Sequence, residues 1–181
     1  MERLPIVAVM GSGVDEHRDR AQPLGRWLGR QDVHLLTGGG RGVMAAVSEA
    51  FHGVPGRRGL VIGILPGEAT GQSLDGYPNP WVEIPIRTHL PYSGERGTEV
   101  RSRNHLNALT ADLMIVLPGR AGTASEVHLA IAYQTPVAAF ANDLADIPGL
   151  PVEVPICRTL DEVKVFVTAT LKTARTSTMR P

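Results

Sequence analysis

The stretch "DLMIVLPGRAGTASEVHLAIAYQ", residues 112–134, decides the fold of this 181-residue chain. It begins with a continuous apolar run, residues 112–117, which is typical of a strand that helices bury on both faces. A glycine-rich turn follows, and the apolar residues Val127, Ala130 and Ile131 then have the spacing of an amphipathic helix. A buried strand, a turn and a helix in this order form the repeating unit of a parallel α/β sheet.

The same alternation occurs along most of the chain. Strands are predicted at residues 6–10, 33–37, 60–65, 112–117 and 136–140, with a weaker candidate at 81–86. Helices are predicted at residues 21–30, 42–53, 99–110, 123–134 and 160–171. We therefore expect one Rossmann-like, doubly wound α/β domain over residues 1–171, with a mainly parallel sheet and helices on both faces. A polar, flexible tail is expected over residues 172–181.

Composition limits the classes of partner. A chain with 43% apolar residues can build one core but is too short for two ordinary domains. Because 18 Lys and Arg balance 18 Asp and Glu, no net charge favours nucleic acid or a membrane surface. The single cysteine, Cys157, excludes an internal disulfide, and no apolar run reaches the ~18 residues of a membrane helix. We expect a cytoplasmic protein that binds a small molecule, with no nucleic-acid or membrane partner.

Glycine-rich turns follow three of the predicted strands. In a parallel sheet such turns meet at the carboxyl edge, where backbone N–H groups attract anions. None of the turns has the spacing of a dinucleotide fingerprint or a P-loop. The turns nevertheless predict a phosphate site, although glycines also make tight turns with no ligand. Its candidate residues are Gly11, Ser12, Gly13, Gly38, Gly39, Gly40, Arg41, Gly42, Pro118, Gly119, Arg120, Ala121, Gly122 and Thr123.

The helix predicted at residues 99–110 adds three candidate ligand-binding residues, Arg103, Asn104 and Asn107. Arg103 and Asn107 are one helical turn apart, so both side chains could point into the crevice. An arginine can hold a phosphate with two hydrogen bonds, and an asparagine can donate and accept toward a purine or pterin edge. The alternative is that these residues form a solvated helix flank.

Glu126 and Arg120 each have two interpretations. Thr123-Ala124-Ser125-Glu126 fits a capping box, in which Thr123 accepts from the Glu126 N–H and the Glu126 carboxylate accepts from the Thr123 N–H. Alternatively, Glu126 is a catalytic carboxylate. Arg120 either holds a highly charged ligand or points into water. The six histidines are scattered and only one cysteine is present, so we predict no protein-bound metal.

These motifs together resemble the lonely-guy (LOG) superfamily of Rossmann-like, "lysine decarboxylase-like" proteins. The similarity spans residues 6–140. It rests on "GSG" (11–13), "TGGGRGVM" (37–44), "VIGILPG" (61–67), "RSRNHLNAL" (101–109) and "LPGRAGTASE" (117–126).

The resemblance implies one of two functions. One branch contains cytokinin-activating phosphoribohydrolases, which split a nucleoside 5′-monophosphate into free base and ribose 5-phosphate, and whose catalytic arginine and glutamate correspond to Arg103 and Glu126. The other branch contains molybdenum-cofactor carrier proteins and related nucleotide-binding proteins. Asn104 and Arg120 replace a lysine and a glycine of the enzyme pattern, whereas Asn107, followed by Ala-Leu, resembles the carrier branch.

We therefore expect a homodimeric carrier or nucleotide-binding protein for a phosphorylated purine- or pterin-like ligand. No cofactor is expected to be required, although molybdenum cofactor or a nucleotide would be the bound ligand. A nucleoside-monophosphate phosphoribohydrolase with Arg103 and Glu126 as catalytic residues is the second alternative, and a structural or interaction protein is the third.

Overall fold

The structure is a computed structural model that describes residues 3–68, 70, 72 and 74–178. Its strands are β1 (Ile6–Met10), β2 (His34–Thr37), β3 (Val61–Leu65), β4 (Ile84–Arg87), β5 (Leu113–Val116), β6 (Val137–Phe140) and β7 (Ile156–Cys157). Its helices are α1 (Arg18–Leu28), α2 (Val43–His52), α3 (Asn104–Thr110), α4 (Ala121–Ala132) and α5 (Leu160–Thr178). All neighbouring strands pair in parallel, in the order β4-β3-β2-β1-β5-β6-β7.

This architecture confirms the predicted Rossmann-like α/β class. Every predicted strand has a counterpart close to its expected position, including β4, which lies at the sheet edge. The sequence did not predict β7, because two residues are too few to form a recognisable apolar run. Helix α5 continues past residue 171 to Thr178. The flexibility of the tail expected from residue 172 stays a prediction. None of the helices described is both long and apolar enough to cross a membrane.

The sheet is buried between two helical layers. Alternate residues of β1 show this, because Val7 and Val9 pack with α1, α2 and α5, whereas Ala8 and Met10 pack with α3 and α4. Two apolar cores therefore lie on opposite faces of one sheet. This explains why the central strands read as continuous apolar runs rather than as alternating ones.

The strand order reverses at β1. From β1 the chain builds outward through β2 to β4, and it then crosses back to place β5 on the other side of β1. Loops diverge at such a reversal and leave a crevice at the carboxyl ends of the strands. Here the Ser12 N–H donates to the Pro118 carbonyl at 3.0 Å, and the Val43 N–H donates to the Ser12 carbonyl at 2.9 Å. These bonds join the turns that follow β1, β2 and β5.

Helices α1 and α2 approach each other closely at Gly25. A methyl group on Gly25 would lie 2.5 Å from the Val47 carbonyl oxygen and 2.9 Å from the Ala50 Cβ. Because a backbone oxygen cannot turn aside as a side chain can, the two helices would have to separate.

We expect Gly25→Ala to destabilise the protein. Alanine stabilises a helix interior by about 1 kcal/mol over glycine, but overpacking costs about 1–3 kcal/mol, so packing should outweigh propensity. The measurement is the free energy of unfolding in urea. The control is Arg26→Ala, at an exposed position of the same helix, which should change stability by less than about 0.5 kcal/mol. A Gly25→Ala protein as stable as the wild type would contradict this account of the helix contact.

Candidate ligand-binding site

A cavity of about 380 Å³, with many polar lining residues, lies in the crevice at the strand-order reversal. This volume falls within the range of about 300–1,000 Å³ that is usual for small-molecule sites. The lining residues come from the turns after β1 and β5, from the starts of α2, α3 and α4, and from two loops. They are Gly11, Ser12, Gly13, Val14, Asp15, Met44, Tyr77, Ser93, Gly94, Arg103, Asn104, Arg120, Gly122, Thr123 and Glu126.

The start of α4 presents unpaired backbone N–H groups beside the cavity. Arg120 is the N-cap residue, and its carbonyl accepts from the N–H groups of Thr123 at 2.9 Å and Ala124 at 3.1 Å. The N–H groups of Ala121 and Gly122 donate to no acceptor in the part of the chain that is described. Unpaired N–H groups and the positive end of the helix dipole together attract a phosphate.

The capping-box prediction for Glu126 is wrong. The backbone of Arg120 is already extended, with φ −114° and ψ −152°, so the helix begins at Ala121 rather than after Thr123. Thr123 and Glu126 therefore lie inside the helix, and both are buried. The Glu126 Oε1 atom accepts from Asn107 Nδ2 at 3.0 Å.

Glu126 is a buried acid that is open to the cavity at one atom. Burial raises the pKa of Glu126 above its ordinary value, although the positive charge of Arg103 and the hydrogen bond from Asn107 act in the opposite direction. No ion pair joins Glu126 to Arg103 among the contacts described. The second carboxylate oxygen, Oε2, has no hydrogen-bond partner and is not among the enclosed atoms, so it faces the cavity.

Arg103 is held under the second glycine turn with 4% of its surface exposed. Its Nη1 donates to the Ile64 carbonyl at 2.9 Å, and its guanidinium occupies the space that a side chain on Gly38 would need. The Nε atom is enclosed without a partner, whereas Nη2 also has no partner but is not enclosed. One guanidinium nitrogen therefore remains available to a ligand in the cavity.

The second glycine turn, residues 38–42, does not line the main cavity. A side chain on Gly38 would meet Arg103, and one on Gly40 would lie 2.9 Å from the Tyr77 Cε1 atom. Gly39 and Gly42 have positive φ angles of 74° and 62°, and Gly42 packs against the backbone of the turn after β1. This turn therefore supports the cavity wall from behind, and the exposed Arg41 lines two smaller neighbouring grooves.

The remaining candidates divide between the cavity wall and its supports. Asn104 lines the cavity and donates through Nδ2 to Ser125 Oγ at 3.0 Å. Asn107 is fully buried behind Glu126, so it does not point into the crevice beside Arg103 as predicted. Arg120 is exposed at the edge of the cavity.

Other predicted residues act through backbone geometry. Ser12 directs its hydroxyl back onto its own turn, where it accepts from the N–H groups of Val14 at 3.2 Å and Asp15 at 2.9 Å. A side chain on Gly119 would meet Thr123. Pro118 and Gly119 form the turn before α4, and Ala121 is the first residue of that helix; none of the three residues lines the cavity.

Six of the lining residues were not predicted as site residues. Five come from segments without a ligand motif, and Met44 ends the glycine motif after β2, of which only the glycines and Arg41 were candidates. The six are Val14, Asp15, Met44, Tyr77, Ser93 and Gly94. Ser93 and Gly94 belong to a segment that a bridge between Tyr92 and Ser102 closes at its base. Only Tyr77 had a usable signal, as an aromatic residue in a Gly/Pro/Asn loop after a buried strand. Among the residues described, no group of three or more His, Cys, Asp or Glu is arranged to hold a metal ion.

A parallel sheet with a cavity at its strand-order reversal defines the class of Rossmann-like ligand-binding domains. Within this class the chain belongs to the SLOG cluster4 family, whose profile matches residues 4–170. The match confirms the resemblance of the chain to the LOG superfamily. No curated protein matches the chain.

Solved structures resemble the chain over nearly its whole length. The molybdenum cofactor binding protein from the phototrophic bacterium Rippkaea orientalis is 27% identical, with a TM-score of 0.72 over 94% of this chain and 99% of that one. The molybdenum cofactor carrier protein from Chlamydomonas reinhardtii is 26% identical, with a TM-score of 0.66 over 94% and 99%. DNA processing protein A from Helicobacter pylori, at 16% identity and a TM-score of 0.62 over 93% and 81%, shares the fold alone.

We expect Glu126→Gln to become more stable, relative to the wild type, as the pH rises. The pKa of Glu126 is raised in the folded state, so its contribution to stability is full below the ordinary pKa of a glutamate and is lost as the pH rises through the folded value. Glutamine has no such loss. The measurement is the difference in unfolding free energy between the two proteins from about pH 4 to pH 8.

The control is Glu99→Gln. Glu99 is exposed, and the hydrogen bond from Arg96 lowers its pKa, so this substitution should give a flat or opposite trend with pH. A constant difference between Glu126→Gln and the wild type would mean that the Glu126 carboxylate is as well stabilised in the folded chain as in water.

Proposed function

We propose that this protein binds a phosphorylated pterin- or purine-like molecule, either molybdenum cofactor or a nucleotide, and acts as a carrier or nucleotide-binding protein. One observation carries the proposal. One cavity is lined by Gly122, whose N–H at the start of α4 is unpaired like that of the adjacent Ala121, and by two residues with unpaired side-chain atoms, Arg103 Nη2 and Glu126 Oε2.

The chemistry of these groups fits such a ligand. A phosphate would lie at the N–H groups of Ala121 and Gly122, supported by the turn at Gly11–Gly13 and by Arg120 at the edge. The edge of a purine or pterin presents both acceptors and N–H donors, which Arg103 and Glu126 can satisfy respectively. The likeness to proteins described as a molybdenum cofactor binding protein and a molybdenum cofactor carrier protein supports the carrier role. The homodimer and the cytoplasmic location stay predictions.

We expect GMP or AMP to raise the melting temperature far more than the corresponding nucleosides do. A ligand at about 100 times its Kd stabilises the folded state by about 2.7 kcal/mol. For a domain of this size that corresponds to a shift of roughly 5–10 °C. The measurement is differential scanning fluorimetry with each nucleotide and its nucleoside at the same concentration. Equal stabilisation by the two would exclude a phosphate site at α4.

Gly122→Ala supplies the matched variant for this experiment. The added methyl group would lie 3.6 Å from the Gly94 Cα, which is ordinary contact, so the free protein should remain folded. The methyl group narrows the space between two lining residues and should reduce the nucleotide-induced shift. Mass spectrometry and molybdenum analysis of the protein purified from its natural source then distinguish a pterin cargo from a nucleotide.

A phosphoribohydrolase is the second candidate, because Arg103 and Glu126 line one cavity without pairing with each other. In such an enzyme the Glu126 carboxylate would stabilise a cationic ribosyl transition state or activate water. If the wild type releases base from AMP, GMP or isopentenyl-AMP, Glu126→Gln should reduce the rate by at least ~100-fold. The measurement is chromatographic detection of free base. A wild type without release, or an equally active Glu126→Gln protein, would exclude Glu126 as a catalyst for these substrates.

A further inference from the structure

An aromatic side chain that the glycine motifs do not indicate stands at the wall of the cavity. Tyr77 lines the main cavity and also borders two smaller grooves, of about 350 and 150 Å³, that contain Arg41. Tyr77 is therefore a wall residue of the main cavity and of both neighbouring grooves. In the part of the chain that is described, its hydroxyl group makes no hydrogen bond.

The ring is held in place by the second glycine turn. The Asn79 N–H donates to the Gly39 carbonyl at 2.7 Å, and Asn79 Nδ2 donates to the Gly40 carbonyl at 2.9 Å. Asn79 is 5% exposed, so these two bonds fix the loop that carries Tyr77 to the turn. At Gly40 a methyl group would lie 2.9 Å from both Tyr77 Cε1 and Met44 Cε. The absence of a side chain at Gly40 therefore allows the ring and the thioether group to meet over the turn.

Met44 and Tyr77 give the cavity an apolar surface that its other side chains do not. The remaining lining side chains are polar or charged, apart from Val14, which is 85% exposed. A phosphosugar needs only polar partners, whereas the flat faces of a heteroaromatic ring are apolar and gain from contact with an aromatic ring or a thioether. An apolar wall formed by Met44 and Tyr77, beside side chains that are mostly polar or charged, thus matches the flat heterocycle of a phosphorylated heteroaromatic ligand.

We infer that Met44 and Tyr77 form the surface on which the ligand's flat heterocycle packs, so that the site selects phosphorylated heteroaromatic compounds over other phosphate esters. The inference rests on the proposed function, because it requires a phosphorylated ligand in this cavity. It adds two binding residues and a basis for selectivity. The ligand's phosphate contributes affinity through backbone N–H groups, and the ligand's heterocycle contributes affinity through its contact with Tyr77.

The test compares GMP with ribose 5-phosphate, which has a phosphate and a sugar but no heterocycle. In isothermal titration calorimetry the wild-type protein should bind GMP more tightly than ribose 5-phosphate. Tyr77→Ala should weaken GMP binding by about tenfold or more, the usual effect of removing an aromatic ring from under a base. It should leave binding of ribose 5-phosphate unchanged. Tyr77→Phe keeps the ring and should bind GMP as the wild type does.

Gly40→Ala is the second variant, because it retains the Tyr77 ring but displaces it together with Met44. It should also weaken GMP binding selectively, and it keeps the test valid if Tyr77→Ala does not fold. If the wild type binds GMP and the Tyr77 variants bind it with the same affinity, the inference is overturned and the proposed function stands. The same holds if Tyr77→Phe loses as much as Tyr77→Ala, since the hydroxyl group would then be the contact. A wild type that binds neither probe would overturn the inference together with the nucleotide form of the proposed function.

Discussion

The burial of the Arg103 guanidinium is the constraint on which the rest of the site depends. A buried charge costs several kcal/mol unless other groups compensate it. Here the protein supplies one hydrogen bond, to the Ile64 carbonyl, and the negative charge of Glu126 without an ion pair. Gly38 must lack a side chain, because the guanidinium occupies that space. The glycine turn after β2 is therefore required by an arginine that comes from the start of α3.

The same separation of charges explains the unusual state of Glu126. An ion pair with Arg103 would hold the pKa of the carboxyl group low, but the two groups are too far apart and burial raises that pKa instead. Asn107 donates a hydrogen bond to one carboxylate oxygen of Glu126, and the other oxygen faces the cavity. A fold selected for stability alone would gain by joining or removing these charges. Two separated, partly unpaired charges in one cavity are typical of a site that a ligand completes.

The fold could be predicted from the sequence because each central strand is a continuous apolar run and each turn contains glycine. The candidate site could be predicted only in part, because a glycine-rich turn can bind a ligand or can make room for a neighbouring side chain. The turn after β5 has unpaired N–H groups, whereas the turn after β2 makes room for Arg103 and Tyr77. Local spacing cannot distinguish these cases, because the neighbours come from distant segments. The capping box failed for a related reason, as the extended backbone at Arg120 starts the helix before the motif begins.

The cavity contains backbone groups, which the fold fixes, and side chains, which substitutions can change. The N–H groups at the start of α4 are backbone atoms, so any chain with this strand, turn and helix retains them. The groups that the proposed function assigns to a heterocycle are side chains, namely Arg103 and Tyr77 from other segments and Glu126 from the next turn of α4. If the proposed function holds, substitution of these side chains changes which heterocycle binds without altering where its phosphate lies. On this proposal one fold can support pterin binding, nucleotide binding or nucleotide hydrolysis. The side chains that face the heterocycle, rather than the glycine turns, would then distinguish these functions.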